Sequence, residues 1–154
     1  MREEDFYWYW LNNIEGIGRG TIRILLEKFK TPKGIYEAVE KDIFSLLRTQ
    51  KQKDAFVFSK NKDKMRSSYQ KLLDNRIAFI HKDSKEYPKR LRVIPDAPYG
   101  LYVKGELPKE DCKAVAIIGA RNCTQYGMEM ARFFARELSK CQVCVISGLA
   151  RGID

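Results

Sequence analysis

Histidine is almost missing from this sequence: in 154 residues there is one, His81. A serine or cysteine nucleophile needs a base beside it, and no nucleophile elbow or clustered pair of carboxylates makes up for the scarcity. No catalytic set is visible, and the expectation is a protein that is not an enzyme. Long apolar runs are also missing. None approaches the ~20 residues of a membrane span. The N-terminus, MREEDFYWYW, is acidic and aromatic and lacks the basic region and cleavage site of a signal peptide. Cytoplasmic localisation without membrane attachment is expected. Cysteine is limited to Cys112, Cys123, Cys141 and Cys144, and a cytoplasmic setting argues against disulfides. Cys141-Gln-Val-Cys144 has zinc-like spacing but no second CxxC pair. Cys144 also falls in a β-type apolar run, where a cysteine acts as a small hydrophobe. No metal site is expected. Both nucleotide fingerprints, GxGxxG and GxxxxGK[ST], are absent. That counts against a dinucleotide or Walker-type ATP cofactor, and no cofactor is expected. Internal repeats and low-complexity segments are lacking too.

Positive charge, in contrast, is plentiful. With 29 Lys and Arg against 20 Asp and Glu, the chain carries a formal +9, which favours polyanionic partners, nucleic acid first. Hydrophobic residues make up 44% of the chain, enough for a real core. Residues 1–76 have helical spacing in DFYWYWLNNI, TIRILLEKF and SSYQKLLDN. Between them fall breakers: the glycines at 16, 18 and 20, Thr31-Pro32, and the polar stretch Asn61 to Lys64. At least three rings of the cluster Phe6 to Trp10 must face inward for such a helix to pack. From Ile77 the period changes. IAFIH, GLYVKG, AVAIIG and VCVISG are short Val- and Ile-rich runs, as parallel strands buried on both faces tend to be. MEMARFFARELSK separates the last two, so Val115–Ile118, a helix over Tyr126–Lys140 and Val143–Ser147 predict one right-handed βαβ crossover. The fold class expected is α/β: a helical domain over 1–76, then a domain over 77–154 that opens a doubly wound parallel sheet. That second domain stops at GLARGID just where another helix is due, so a fragment of a longer protein is expected.

Three stretches carry chemistry. LNNIEGIGRGTIRILL is similar to a helix-hairpin-helix. Gly16 and Gly18 let the chain turn sharply with backbone N–H groups outward, and Arg19 and Arg23 follow, a set suited to phosphate. A tight αα turn with packing glycines is the alternative. The basic run from Arg48 to Lys71, with Phe56 and Phe58 among its lysines, suits a nucleic-acid backbone or a solvated helix face. The third stretch is AIIGARNCTQYG. Gly119 ends a strand, Arg121 follows at once, and a helix begins near Tyr126 and Gly127. A guanidinium beside free helix N-terminal N–H groups suits a phosphodiester. Parallel strands end on one side, so SGLARG comes to the same edge, and its Ser147, Gly148, Ala150 and Gly152 permit close backbone approach. Asp154 is placed to cap a following helix or bond to loop backbone.

DSKEYPKRLRVIPDAPYGLYVKGEL, VAIIGARNCTQYG and VISGLARGID, in that order, resemble the DNA-processing protein A family (DprA, also called Smf) over residues 77–154. The N-terminal hairpin fits the helix-hairpin-helix or SAM-like domain of many members. The resemblance implies a non-enzymatic protein of natural transformation that binds and protects single-stranded DNA and loads it with the RecA recombinase. It implies an extended Rossmann fold to which IAFIH and GLYVKG add strands. It also assigns Gly119, Arg121, Tyr126 and Gly127 to one phosphate-facing loop and Ser147, Gly148, Ala150, Gly152 and Asp154 to a second. Homodimer and RecA surfaces are implied for parts of the family beyond Asp154. Members commonly read Gly-Ser-Arg where this chain has Gly119-Ala120-Arg121, so a hydroxyl is lost while the arginine stays. Two other readings stand beside this one. One is an enzyme resembling the lysine-decarboxylase-like nucleoside monophosphate phosphoribohydrolases. The other is a module that recruits recombinase or helicase through the helical domain.

Overall fold

Helical spacing becomes helices as far as residue 74. The computed structural model describes residues 2–154. It begins with α1 (Glu3–Asn12), α2 (Arg19–Phe29), α3 (Pro32–Glu37), α4 (Glu40–Phe44), α5 (Gln50–Ser59) and α6 (Lys62–Asp74). Local chemistry sets the boundaries. Thr31 Oγ1 accepts the Gly34 N–H at 3.0 Å and Pro32 fills the first position of α3. Thr49 and Gln52 bond each other's backbone N–H in a capping box that starts α5. Asn61 Oδ1 accepts the Lys64 N–H at 2.9 Å. The expected break falls at Lys60 and Asn61, but Asn61 is the cap and Lys62 to Lys64 already belong to α6; Gly20 likewise lies inside α2. Lysine is a good helix former, and a cap-forming Asn reads as a breaker when its partner N–H is unseen.

These helices bury an aromatic core. All five rings from Phe6 to Trp10 are buried, more than the three that packing required. Trp10 and Phe56 are fully buried, set edge-on at 5.6 Å, and the indole N–H of Trp10 donates to Ser59 Oγ at 2.7 Å. Leu11, Leu25, Ile35 and Ile43 close the centre.

The strands begin at Ile77, where the pattern changes. β1 (Ile77–His81) and β2 (Gly100–Lys104) pair with each other, antiparallel, with Phe79 opposite Tyr102. They form a two-stranded sheet of their own. This corrects the expectation of parallel strands added to the later sheet. Val and Ile content reports burial and not strand direction. β1 has one inward face, with Phe79 and His81 buried and Ala78 exposed between Ile77 and Phe79, as suits a half-covered antiparallel pair. Phe79 packs edge-on to Tyr9 of α1 at 5.3 Å. The connection, which includes α7 (Lys89–Arg92), is ordered by its own bonds. Tyr87 is fully buried with its hydroxyl donating to the Pro98 carbonyl at 2.7 Å, and Arg92 Nη2 donates to the Ser84 carbonyl at 2.7 Å.

The chain divides into two compact units after Glu106. Thus the first unit holds the hairpin β1–β2 as well as α1 to α7, and ends 30 residues past the change of pattern at 76/77. The second unit is β3 (Ala114–Ala116), α8 (Gln125–Lys140) and β4 (Cys144–Ile146). β3 and β4 pair parallel, Ala114 opposite Cys144, and the Ile117 N–H extends the ladder to the Ile146 carbonyl at 2.9 Å. The expected parallel strand–helix–strand unit is present, with mixed α/β composition overall. Its strands are not buried on both faces. β3 is exposed throughout, α8 buries no residue fully, and every fully buried residue described lies between Phe6 and Ala97. One helix and two strands have too little surface to cover both faces of the pair.

Candidate functional site

The site is built where β3 and β4 end. β3 runs into a loop that reaches α8, and Thr124 caps that helix by accepting the Gly127 N–H at 3.1 Å. Gln125 and Tyr126, in the first turn, have no intrahelical acceptor for their N–H groups. The Tyr126 side chain is largely exposed. β4 runs into the segment Ser147 to Asp154, which folds back on the first loop. The Ile153 N–H donates to the Ala120 carbonyl at 3.3 Å, and Asp154 Oδ1 accepts the Gly119 N–H at 3.0 Å. The loop-backbone role expected for Asp154 is the one it has here.

The glycines explain how the two loops fit. A Cβ on Gly119 would lie 2.8–2.9 Å from Ile153 side-chain atoms, and one on Gly127 3.2 Å from Ile153 Cδ1. Gly152, at φ +109°, sets its Cα where any Cβ would fall 2.7 Å from the Arg121 Cα. One on Gly148 would be 2.8 Å from Asp154 Oδ2. Close approach is thus between the two loops, and at Gly148 within the second. Ser147 Oγ accepts the Leu149 N–H at 3.0 Å, a local turn that uses the hydroxyl. Leu149 and Ala150 are exposed beyond it.

What projects from this interlock is cationic. Arg121 is exposed and makes no hydrogen bond or ion pair among the described residues; Asp154, the one carboxylate of the two loops, is held by Gly119. Arg151 is likewise exposed and unpaired, one residue before the Gly152 that abuts Arg121. Sequence reasoning passed over Arg151. Its signal was available, as a second guanidinium inside the small-residue loop.

The other candidates lie in the first unit and are occupied differently. Gly16, at φ +73°, turns the chain after α1, and its carbonyl accepts from Gln52 Nε2 at 2.9 Å. Gly18 is the N-terminal cap of α2, in open space. Arg19 is bonded to the Asp96 carbonyl, and Arg23 stands 3.9 Å from Glu27 on the same helix. Both guanidinium groups thus have partners within the protein. In the basic run Lys51 pairs with Glu15 at 2.9 Å, and Lys60 lies 4.9 Å above the Phe56 ring. Arg48, Lys62, Lys64, Arg66 and Lys71 are exposed. Phe56 is core, while Phe58 is exposed. No cysteine is in a disulfide among the described residues. Among the described residues no helix is long and apolar enough to cross a membrane.

The stretch that carries these loops matches known proteins in sequence. The sequence model of the DNA recombination-mediator protein A family matches residues 78–154, from β1 to the end of the second loop. The chain belongs to this family. It is similar to Protein Smf of Borreliella burgdorferi, 39% identical over 71 residues, which is 46% of this chain and 23% of the relative. To Protein Smf of Escherichia coli it is 40% identical over 75 residues, 49% of this chain and 20% of the relative. To the DNA processing protein DprA of Bacillus subtilis it is 36% identical over 72 residues, 46% and 24% of the two chains. Each match therefore spans less than a quarter of the relative's length.

Proposed function

We propose that this chain binds single-stranded DNA through its phosphates, with little sequence preference, and serves DNA processing in recombination. In the finer form it protects incoming strands during natural transformation, delivers them to the RecA recombinase as a homodimer, and acts in the cytoplasm without catalysing a reaction. Its second unit is read as the opening of an extended Rossmann-type sheet, and its α1–α2 turn as a helix-hairpin-helix. The names of the family and of the Bacillus subtilis relative, recombination mediator and DNA processing protein, support the general role. The observation that carries the binding mode is Arg121: an exposed guanidinium with no protein partner, held on a glycine-locked loop four residues ahead of α8. A guanidinium forks phosphate with two parallel bonds, and helix N-terminal N–H groups favour the same anion. Arg151 supplies a second cation on the facing loop, and the net charge of +9 adds long-range attraction.

Binding of labelled oligonucleotides to the chain over a range of salt tests this. Affinity should fall with a log–log slope of roughly −0.7 per phosphate neutralised. Mixed and homopolymer strands should differ by less than ~10-fold, or about 1.4 kcal/mol. A salt-independent affinity would sink phosphate recognition. Release of base from a nucleoside monophosphate would replace the binding protein by the hydrolase.

A further inference from the structure

Three side chains without a hydrogen bond meet where α1 begins and β1 ends. Glu4 lies in the first turn of α1, His81 is the last residue of β1, and Asp83 follows two residues later. One ligand atom from each lies within 4.8 Å of the other two. His81 is 2% exposed, and neither ring nitrogen makes a hydrogen bond to the protein. Its ring is stacked on Trp8 at 5.6 Å and 12°, which fixes the plane. Nε2 stands 3.4 Å from Asp5 Oδ1 without hydrogen-bond geometry. That carboxylate is already occupied, taking the Arg2 backbone N–H, Nε and Nη2, each at 3.1 Å. Glu4 and Asp83 are exposed, and neither has a hydrogen bond or ion pair among the described residues, in a chain with 29 Lys and Arg. Two carboxylates held together without a cation repel each other, and a buried imidazole without a bond leaves a lone pair unused.

We propose that Glu4, His81 and Asp83 bind a divalent first-row transition metal of the zinc or manganese class. One imidazole with two carboxylates is a donor set for such ions, whereas calcium and magnesium take oxygen alone. Metal–ligand distances of about 2.0–2.2 Å suit donor atoms gathered this closely, and the exposed Glu4 and Asp83 side chains are free to adjust. The second imidazole nitrogen then faces Asp5, the carboxylate–histidine–metal arrangement that fixes a ligand's tautomer. The metal clips the start of α1 to the end of β1. It lies in the first unit, apart in sequence from the Arg121 loop, so the proposal does not rest on DNA binding.

Because His81 is the only histidine, imidazole NMR signals of the tag-free, histidine-labelled chain report on this residue alone. Zinc held by thiols elsewhere leaves them unmoved. Titration with zinc should shift one ring nitrogen, saturating at one equivalent. Glu4→Gln and Asp83→Asn are exposed changes that leave the metal-free melting temperature in place. Each should weaken the zinc response at least ~10-fold, since outright loss of a ligand exceeds the 10- to 100-fold cost of losing its supporting contact. Imidazole signals that ignore zinc at ten equivalents overturn the proposal. So does a zinc response that persists undiminished in Glu4→Gln and Asp83→Asn.

Discussion

Arg121→Ala separates a phosphate grip from a structural tie. The side chain is exposed and makes no hydrogen bond or ion pair among the described residues, so its removal should alter folding stability by no more than about 0.5 kcal/mol. A structural role would need a partner, and Asp154 is engaged by the Gly119 N–H instead. If the guanidinium holds a phosphate, the loss is that of a charged hydrogen bond, about 1.5–3 kcal/mol. That corresponds to a roughly 10- to 150-fold rise in Kd. Arg121→Lys keeps the charge but not the planar fork and should recover only part of the affinity. Fluorescence anisotropy with a labelled single strand at fixed salt, and melting curves on the same preparations, give the two numbers side by side. Unchanged affinity with a lowered melting temperature would refute the reasoning for this residue. An equal loss in the Ala and Lys variants would refute the fork while leaving the charge.

Three further outcomes follow from the packing. Gly152→Ala forces a Cβ to within 2.7 Å of the Arg121 Cα at φ +109°, so it should cost roughly 1–3 kcal/mol of loop stability and weaken DNA binding indirectly; unaltered amide exchange in Ser147 to Asp154 would contradict the interlock. Phe56→Ala empties a fully buried site beside Trp10 and should lower the stability of the first unit by about 3–5 kcal/mol in urea. A loss under ~1 kcal/mol would remove Phe56 from the core. Burial pushes the Asp5 carboxyl up, but its bonds to Arg2 outweigh this and hold it below its ordinary 3.8. A carboxylate with a lowered folded pKa adds stability that is present above the unfolded value and lost as pH falls through the folded one. Asp5→Asn should therefore flatten the acid limb of the stability curve, and an unchanged slope below about pH 4 would deny the link.

α1, α2 and α6 were legible because apolar spacing of 3.6 and Thr-Pro punctuation are local signals, whereas the short α3, α4 and α7 and the weakly amphipathic α5 carry no such period. The break at Asn61 was legible too, but not that Lys62 to Lys64 join α6, because the capping bond from Lys64 to Asn61 is invisible until the helix is drawn. The two segments IAFIH and GLYVKG were recognisable as strands, but their direction was not. Direction is set by partners such as Phe79 and Tyr102, whose rings meet at 5.4 Å across 23 positions. Gly119, Arg121 and the helix start after Thr124 were found in one continuous stretch. The use of the glycines was not, because Gly152 and Arg121 are 31 residues apart and only folding sets one against the other. The same holds for Glu4 and His81, which no periodicity connects.

That no residue beyond Ala97 is fully buried has a consequence for how DNA binding would register. A 16-residue helix on a two-stranded pair has little burial of its own to resist local opening. Within this chain, α8 and the Arg121 loop should therefore exchange their amides faster than the aromatic core of the first unit. A strand of DNA that bridges Arg121 and Arg151 would quench those openings as it binds. Its affinity would include the entropy of stiffening α8, and slowed exchange there would be a more sensitive record of occupancy than any movement of the backbone.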